Sequence, residues 1–147
     1  MTAELMQQLY AECGRSIACR RAVDYYIALV KNPCYPPADR MTQDMRRYYR
    51  HIIERYGPPP QCNIRSLVEE RLRGTALEKY AHEVAEVAER LKRELHITSR
   101  VAAAAAALVV ADKYGMRVSI GAVAQRFGAN YVTVSIRYKD AVRLGLL

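Results

Sequence analysis

The sequence predicts an all-α protein, and three observations carry that reading. Apolar residues recur at three- and four-residue spacing through most of the chain, and no strand-like alternation of any length appears. One segment, residues 101–111, is apolar on every side and too short to span a membrane, which marks a helix buried at the centre of a domain. Gly57-Pro58-Pro59-Pro60 removes backbone donors and fixes the chain, so no helix crosses it. The expected organisation is an N-terminal helical region over residues 1–57, then a helical domain over residues 61–147.

In order, a helix over residues 3–13 turns Leu5, Leu9 and Tyr10 inward and breaks at Gly14. A second, over 16–30, carries Ile17, Val23, Tyr26, Ile27 and Val30, and Asn32-Pro33 ends it. A third, over 42–56, sets Met45, Tyr49, Ile52, Ile53 and Tyr56 on one face and Arg46, Arg47, Arg50 and Arg55 on the other. After the prolines, residues 63–73 form a short helix with Ile64, Leu67, Val68 and Leu72 inward, closed by Gly74. Thr75 and Glu78 read as a capping box, each side chain meeting the other's free N–H, opening a helix to Leu95. The acidic and basic residues of that helix, Glu83 among them, read as a solvated face. Thr98 or Ser99 caps the alanine-valine helix that runs to about residue 114.

The last third reads as a helix-turn-helix over about residues 119–144. Ser119 caps a short helix, Phe127-Gly128-Ala129 turns the chain, and Asn130 caps a final helix. Ala124 is small where the helices cross, Gly128 supplies the turn, and Val123, Phe127, Val132 or Val134, and Tyr138 fill the shared core.

Net charge is +8, which favours an anionic partner, most commonly nucleic acid. Lys31, Lys79, Lys92, Lys113 and Lys139 are the only lysines among 23 basic residues. Such arginine excess suits phosphate contact and equally suits ion-pair networks of heat-stable proteins. Residues placed to touch nucleic acid are Arg117, Arg126, Asn130, Tyr131, Thr133, Ser135, Arg137, Lys139 and Arg143, with a secondary basic patch at Arg46, Arg47 and Arg50. That patch mixes basic residues with Tyr48 and Tyr49, as single-strand and RNA binders do; a helix with tyrosines inward looks the same.

Cys13, Cys19, Cys34 and Cys62 form no C-x-x-C pair, and His51, His82 and His96 stand at no ligand spacing from them, so no metal or cofactor is expected. Ordinary buried thiols and disulfides both remain open for the four. No nucleophile-base pairing and no glycine-rich phosphate loop occurs, so an enzyme is not expected. The start of the chain lacks a basic-then-apolar leader, which points to a cytoplasmic, nucleoid-associated protein.

Two stretches carry a family resemblance. Thr98-Ser-Arg-Val-Ala-Ala-Ala-Ala-Ala-Ala-Leu-Val-Val-Ala111 resembles the middle helix of the cyclin-type repeat in archaeal and eukaryotic general transcription factor B. Residues 119–140 resemble the helix-turn-helix that ends the second repeat of that family, with Gly128, Val132-Thr133-Val134 and Arg137-Tyr138-Lys139 matching best. The resemblance implies a cyclin-like five-helix repeat over 61–147 and a small archaeal transcription regulator binding duplex DNA. The zinc ribbon and the other repeat of the family have no counterpart here. Ile120, Tyr131 and Ser135 replace polar, acidic and arginine residues of the family's reading face. That departure supports an alternative, a docking module for transcription-machinery proteins or a second copy of the chain. RNA or ribosome association through the arginine-tyrosine helix is a third reading.

Overall fold

The computed structural model describes residues 1–146. Eight α-helices account for the regular structure, with one 3-10 turn and no strand among the described residues. The chain forms two compact units, Met1–Cys62 and Asn63–Leu147. No helix is long and apolar enough to cross a membrane.

Unit 1 holds α1 (Ala3–Cys13), α2 (Ile17–Lys31) and α3 (Gln43–Tyr56). Each begins at a hydroxyl cap: Thr2, Ser16 and Thr42 accept from the backbone N–H of Leu5, Cys19 and Met45. Leu9, Val23, Tyr26, Ile27 and Ile52 form the core, flanked by Leu5, Tyr10, Tyr49 and Tyr56. Ile17 is 70% exposed rather than inward. It lies three, four and seven residues from Arg20, Arg21 and Asp24 and shares their outer face. The Tyr26 hydroxyl donates to the Gly57 carbonyl at 2.9 Å, tying the end of α3 to α2. Glu12 accepts from Tyr56 and Arg55, each at 2.9 Å. Tyr10 donates to Asp24, and that bond to a carboxylate pushes the phenol up to about 12.

The cysteines are all paired. Cys13–Cys19 closes the α1–α2 corner and Cys34–Cys62 ties the loop after α2 to the end of the unit, with Cα–Cα distances of 5.4 and 4.6 Å.

Unit 2 holds α4 (Ile64–Leu72), α5 (Ala81–Leu95), α6 (Ser99–Lys113), α7 (Ile120–Arg126) and α8 (Tyr131–Arg143). Helix α6 is its axis: Val101 to Ala111 are all buried, and α4, α5, α7 and α8 all touch it. Six consecutive alanines, Ala102 to Ala107, let those neighbours approach closely on every side.

Two expectations for α5 need correction. The capping box does not form, and α5 begins at Ala81 after a 3-10 turn over Glu78–Tyr80. Thr75 Oγ1 donates instead to the Leu72 carbonyl at 2.6 Å, and the Glu78 carboxylate accepts from the Gly74 N–H at 3.2 Å. Both groups of the box are spent on closing α4. Glu83 is also not merely solvated: its carboxylate accepts from Lys113 and from the Tyr114 hydroxyl, the latter at 2.6 Å. Tyr114 in turn stacks on Tyr80, centroids 4.0 Å apart and planes 8° from parallel, so α5 and the end of α6 are tied together.

The hydrogen bonds from Lys113 and Tyr114 hold the Glu83 carboxyl below its usual value. A group with a depressed folded-state pKa stabilises above its unfolded value and loses that contribution as pH falls through the folded value. Glu83→Gln is therefore expected to lower the melting temperature at neutral pH and to converge with the parent chain in acid. Paired thermal melts across pH 3 to 7 check this; an acid-insensitive difference counts against it.

Candidate nucleic-acid interface

Helix α7 starts at Ser119, whose Oγ accepts from the Ala122 N–H at 3.1 Å. It ends in a Schellman turn: Ala129 N–H bonds the Ala124 carbonyl at 2.9 Å and Gly128 N–H bonds the Gln125 carbonyl at 3.0 Å. That geometry requires the left-handed backbone of Gly128, φ 62°, where a side chain would be strained. Asn130 then caps α8, its Oδ1 accepting from Val132 and Thr133 N–H at 2.9 and 3.2 Å. Arg100 donates to the Gly128 carbonyl at 3.0 Å and links the turn to α6. Phe127 and Val134 are fully buried between α6, α7 and α8, with Val123, Ala124 and Ala141 beside them. Val134, not Val132, fills the core.

The predicted contact residues divide by what already occupies them. Arg126 donates from Nε to the Arg71 carbonyl at 2.6 Å and from Nη2 to the Arg73 carbonyl at 2.9 Å, so it closes the end of α4. Asn130 is committed as the cap of α8. Arg137 is half-buried, with Nη1 on Asp140 at 3.1 Å and a buried Nε that meets no partner. Arg143 stands 80% exposed at a looser 3.7 Å from the same carboxylate. Arg117 and Lys139 are exposed, and no hydrogen bond or ion pair among the described residues engages either. Arg117 and Arg126 also line a cavity of about 780 Å³ between the end of α4 and α7.

The outer stripe of α8 is Val132, Ile136, Lys139 and Arg143, at spacings of four, three and four. Thr133 and Tyr131 flank it, both exposed, while Ser135 is half-buried. The Tyr131 ring lies over Gly121, where a Cβ would stand 3.6 Å from it. Val132 at 61% and Ile136 at 51% exposure were not singled out as surface residues by sequence reasoning. Their position opposite Val134 and Ala141 on the helical wheel carried the signal. The stripe is thus aliphatic in its first half and cationic in its second.

Arg46, Arg47 and Arg50 are all exposed on α3. Arg47 is occupied, 3.9 Å from Asp44 and stacked on Tyr48 at 5.3 Å. Among the described residues no group of three or more His, Cys, Asp or Glu is placed to hold a metal ion. No family model, curated protein or solved structure matches the chain.

Proposed function

We propose that this chain is a non-catalytic, sequence-tolerant duplex-DNA-binding protein, a transcription regulator or accessory factor related to transcription factor B. Helices α4 to α8 would form one cyclin-like repeat, with α8 entering a major groove. The observation that carries the reading is the exposed cationic end of the α8 stripe, where Lys139 is unpaired and Arg143 is held only loosely by Asp140, with unpaired Arg117 ahead of α7. These three supply phosphate contacts. Thr133 offers a hydroxyl to base edges, and Val132 and Ile136 fit thymine methyl groups better than any polar base edge.

Three neutralised phosphates give a slope of log affinity against log salt of about −2.7. Anisotropy titration of a labelled duplex at 50 and 200 mM salt measures it. Replacing Lys139 and Arg143 by alanine together is expected to make the slope shallower by about 1.8. Absence of duplex binding at 50 mM salt removes the proposal.

A second reading, docking to a protein of the transcription machinery, is favoured by the exposed Val132 and Ile136 on the same stripe. Val132→Ser with Ile136→Ser separates the two: a protein complex would collapse, while salt-dependent duplex affinity would persist.

A further inference from the structure

Unit 1 presents a second basic surface that differs in kind from α8. Two adjoining hollows, of about 530 and 640 Å³, open between α2, α3 and the loop that joins them. Tyr25, Asp39 and Arg40 line both. Arg46, Arg50 and Tyr49 complete the first, and Arg21 lies on the second. These volumes lie in the range of small-molecule and single-nucleotide pockets. Arg21, Arg40, Arg46 and Arg50 are exposed, and no hydrogen bond or ion pair among the described residues engages any of them. Neighbouring arginines are occupied: Arg20 donates twice to the Gly14 carbonyl, and Arg55 holds Glu12. Four uncommitted guanidinium groups therefore stand around the hollows.

We propose that these hollows form a site for single-stranded nucleic acid, distinct from the helix-turn-helix, with phosphates on Arg40, Arg46 and Arg50 and a base against Tyr25 and Tyr49. The tyrosine wall is rigid. Tyr25 and Tyr49 meet edge to face, centroids 5.6 Å apart at 86°, and Tyr26 backs Tyr49 at 6.3 Å. A fixed aromatic surface costs little to order when a base stacks on it. The loop that carries Asp39 and Arg40 is held as well, by Pro36-Pro37 and by the Cys34–Cys62 bridge at its start.

The carboxylates in the same wall select among anions. Asp39 makes no ion pair although arginines surround it, and Glu54 and Asp24 line the hollows too. An acidic peptide would meet repulsion from all three. A nucleotide complements the arginines with its anionic phosphate and the unpaired Asp39 with the exocyclic amine of adenine or cytosine, which donates to a carboxylate. A duplex keeps its bases stacked and paired, out of reach of a recess of this size. A single strand can turn one base in.

The test uses the full chain and labelled 12-nucleotide single strands, with the matching duplex as comparison, at 50 mM salt. Binding of the single strand is expected, with a log–log salt slope of about −2 to −3 for three or four phosphates. Arg46→Glu with Arg50→Glu should weaken it by roughly tenfold or more, since each contact is lost and a like charge replaces it. Both side chains are exposed, so this variant keeps its fold, which circular dichroism checks. Lys139→Ala with Arg143→Ala should weaken single-strand binding far less than the Arg46, Arg50 variant does, while costing more duplex affinity than that variant. A strand carrying 5-iodouracil should crosslink under ultraviolet light to the peptides containing Tyr25 or Tyr49. The proposal is overturned by absent single-strand binding, by crosslinks confined to residues 119–146, or by displacement of the strand by poly-glutamate at equal charge concentration.

Discussion

Phe127→Ala is expected to destabilise unit 2 by about 3–5 kcal/mol, the range for emptying a buried phenylalanine site. The ring is wholly inaccessible to solvent and sits at the corner where α7 hands the chain to α8. Its neighbours limit how far the hole can collapse. Val123, Ala124 and Val134 are short side chains on helices held by the Schellman turn and by the Asn130 cap. The loss therefore falls on the angle between α7 and α8 as well as on total stability. Urea denaturation followed by helical circular dichroism measures it. Tyr131→Ala serves as the contrast, because that ring is 54% exposed. Surface changes of this kind stay near about 0.5 kcal/mol. A Phe127 effect no larger than the Tyr131 effect would mean that the corner is not packed as described. Duplex affinity, if carried by α8, should fall with the Phe127 variant in proportion to the unfolded fraction.

The second large effect belongs to unit 1. Cys34 and Cys62 are separated by 28 residues, and the chain-entropy relation for a loop of that length gives about 3.5 kcal/mol of stabilisation. Cys13–Cys19, with a separation of 6, gives about 2 kcal/mol by the same relation. Cys34→Ser with Cys62→Ser should therefore lower the stability of unit 1 more than the corresponding change at Cys13 and Cys19. Unit 2 contains no cysteine, so its melting provides a reference within the same molecule. Thermal denaturation with and without a phosphine reductant checks the ranking. Equal behaviour of the two units under reduction would contradict it.

Helix positions were legible from the chain because their signals are local. Each hydroxyl or amide cap, from Thr2 through Ser16, Thr42, Asn63, Thr98 and Ser119 to Asn130, needs only the three residues after it. The all-round burial of α6 was equally plain, since alanine and valine without interruption leave no side for water. What escaped was set by partners distant in sequence. Thr75 and Glu78 match the capping-box pattern, but the carbonyl of Leu72 and the N–H of Gly74 claim them first. Glu83 looks solvated on its own helix until Lys113 and Tyr114 arrive from the end of α6, some 30 residues on.

The candidate site was read in the same uneven way. Its charges were visible, but their commitments were not. Arg126 answers carbonyl groups more than 50 residues earlier, and Arg137 is held by Asp140 on its own helix. Pairing of the cysteines was out of reach for the same reason, since spacing along the chain does not say which Cα atoms come within 6 Å.

The Cys34–Cys62 bridge also decides how this molecule carries load. Tension applied at the two ends crosses the Cys13–Cys19 bridge, travels along the backbone to Cys34, crosses the second pair of sulfur atoms and leaves at Cys62. Everything between, including all of α3 with its tyrosines and free arginines, is bypassed and stays slack. A machine that unfolds proteins by pulling them through a narrow ring would meet two strands abreast at this point, and would have to widen, stall or wait for the sulfurs to part.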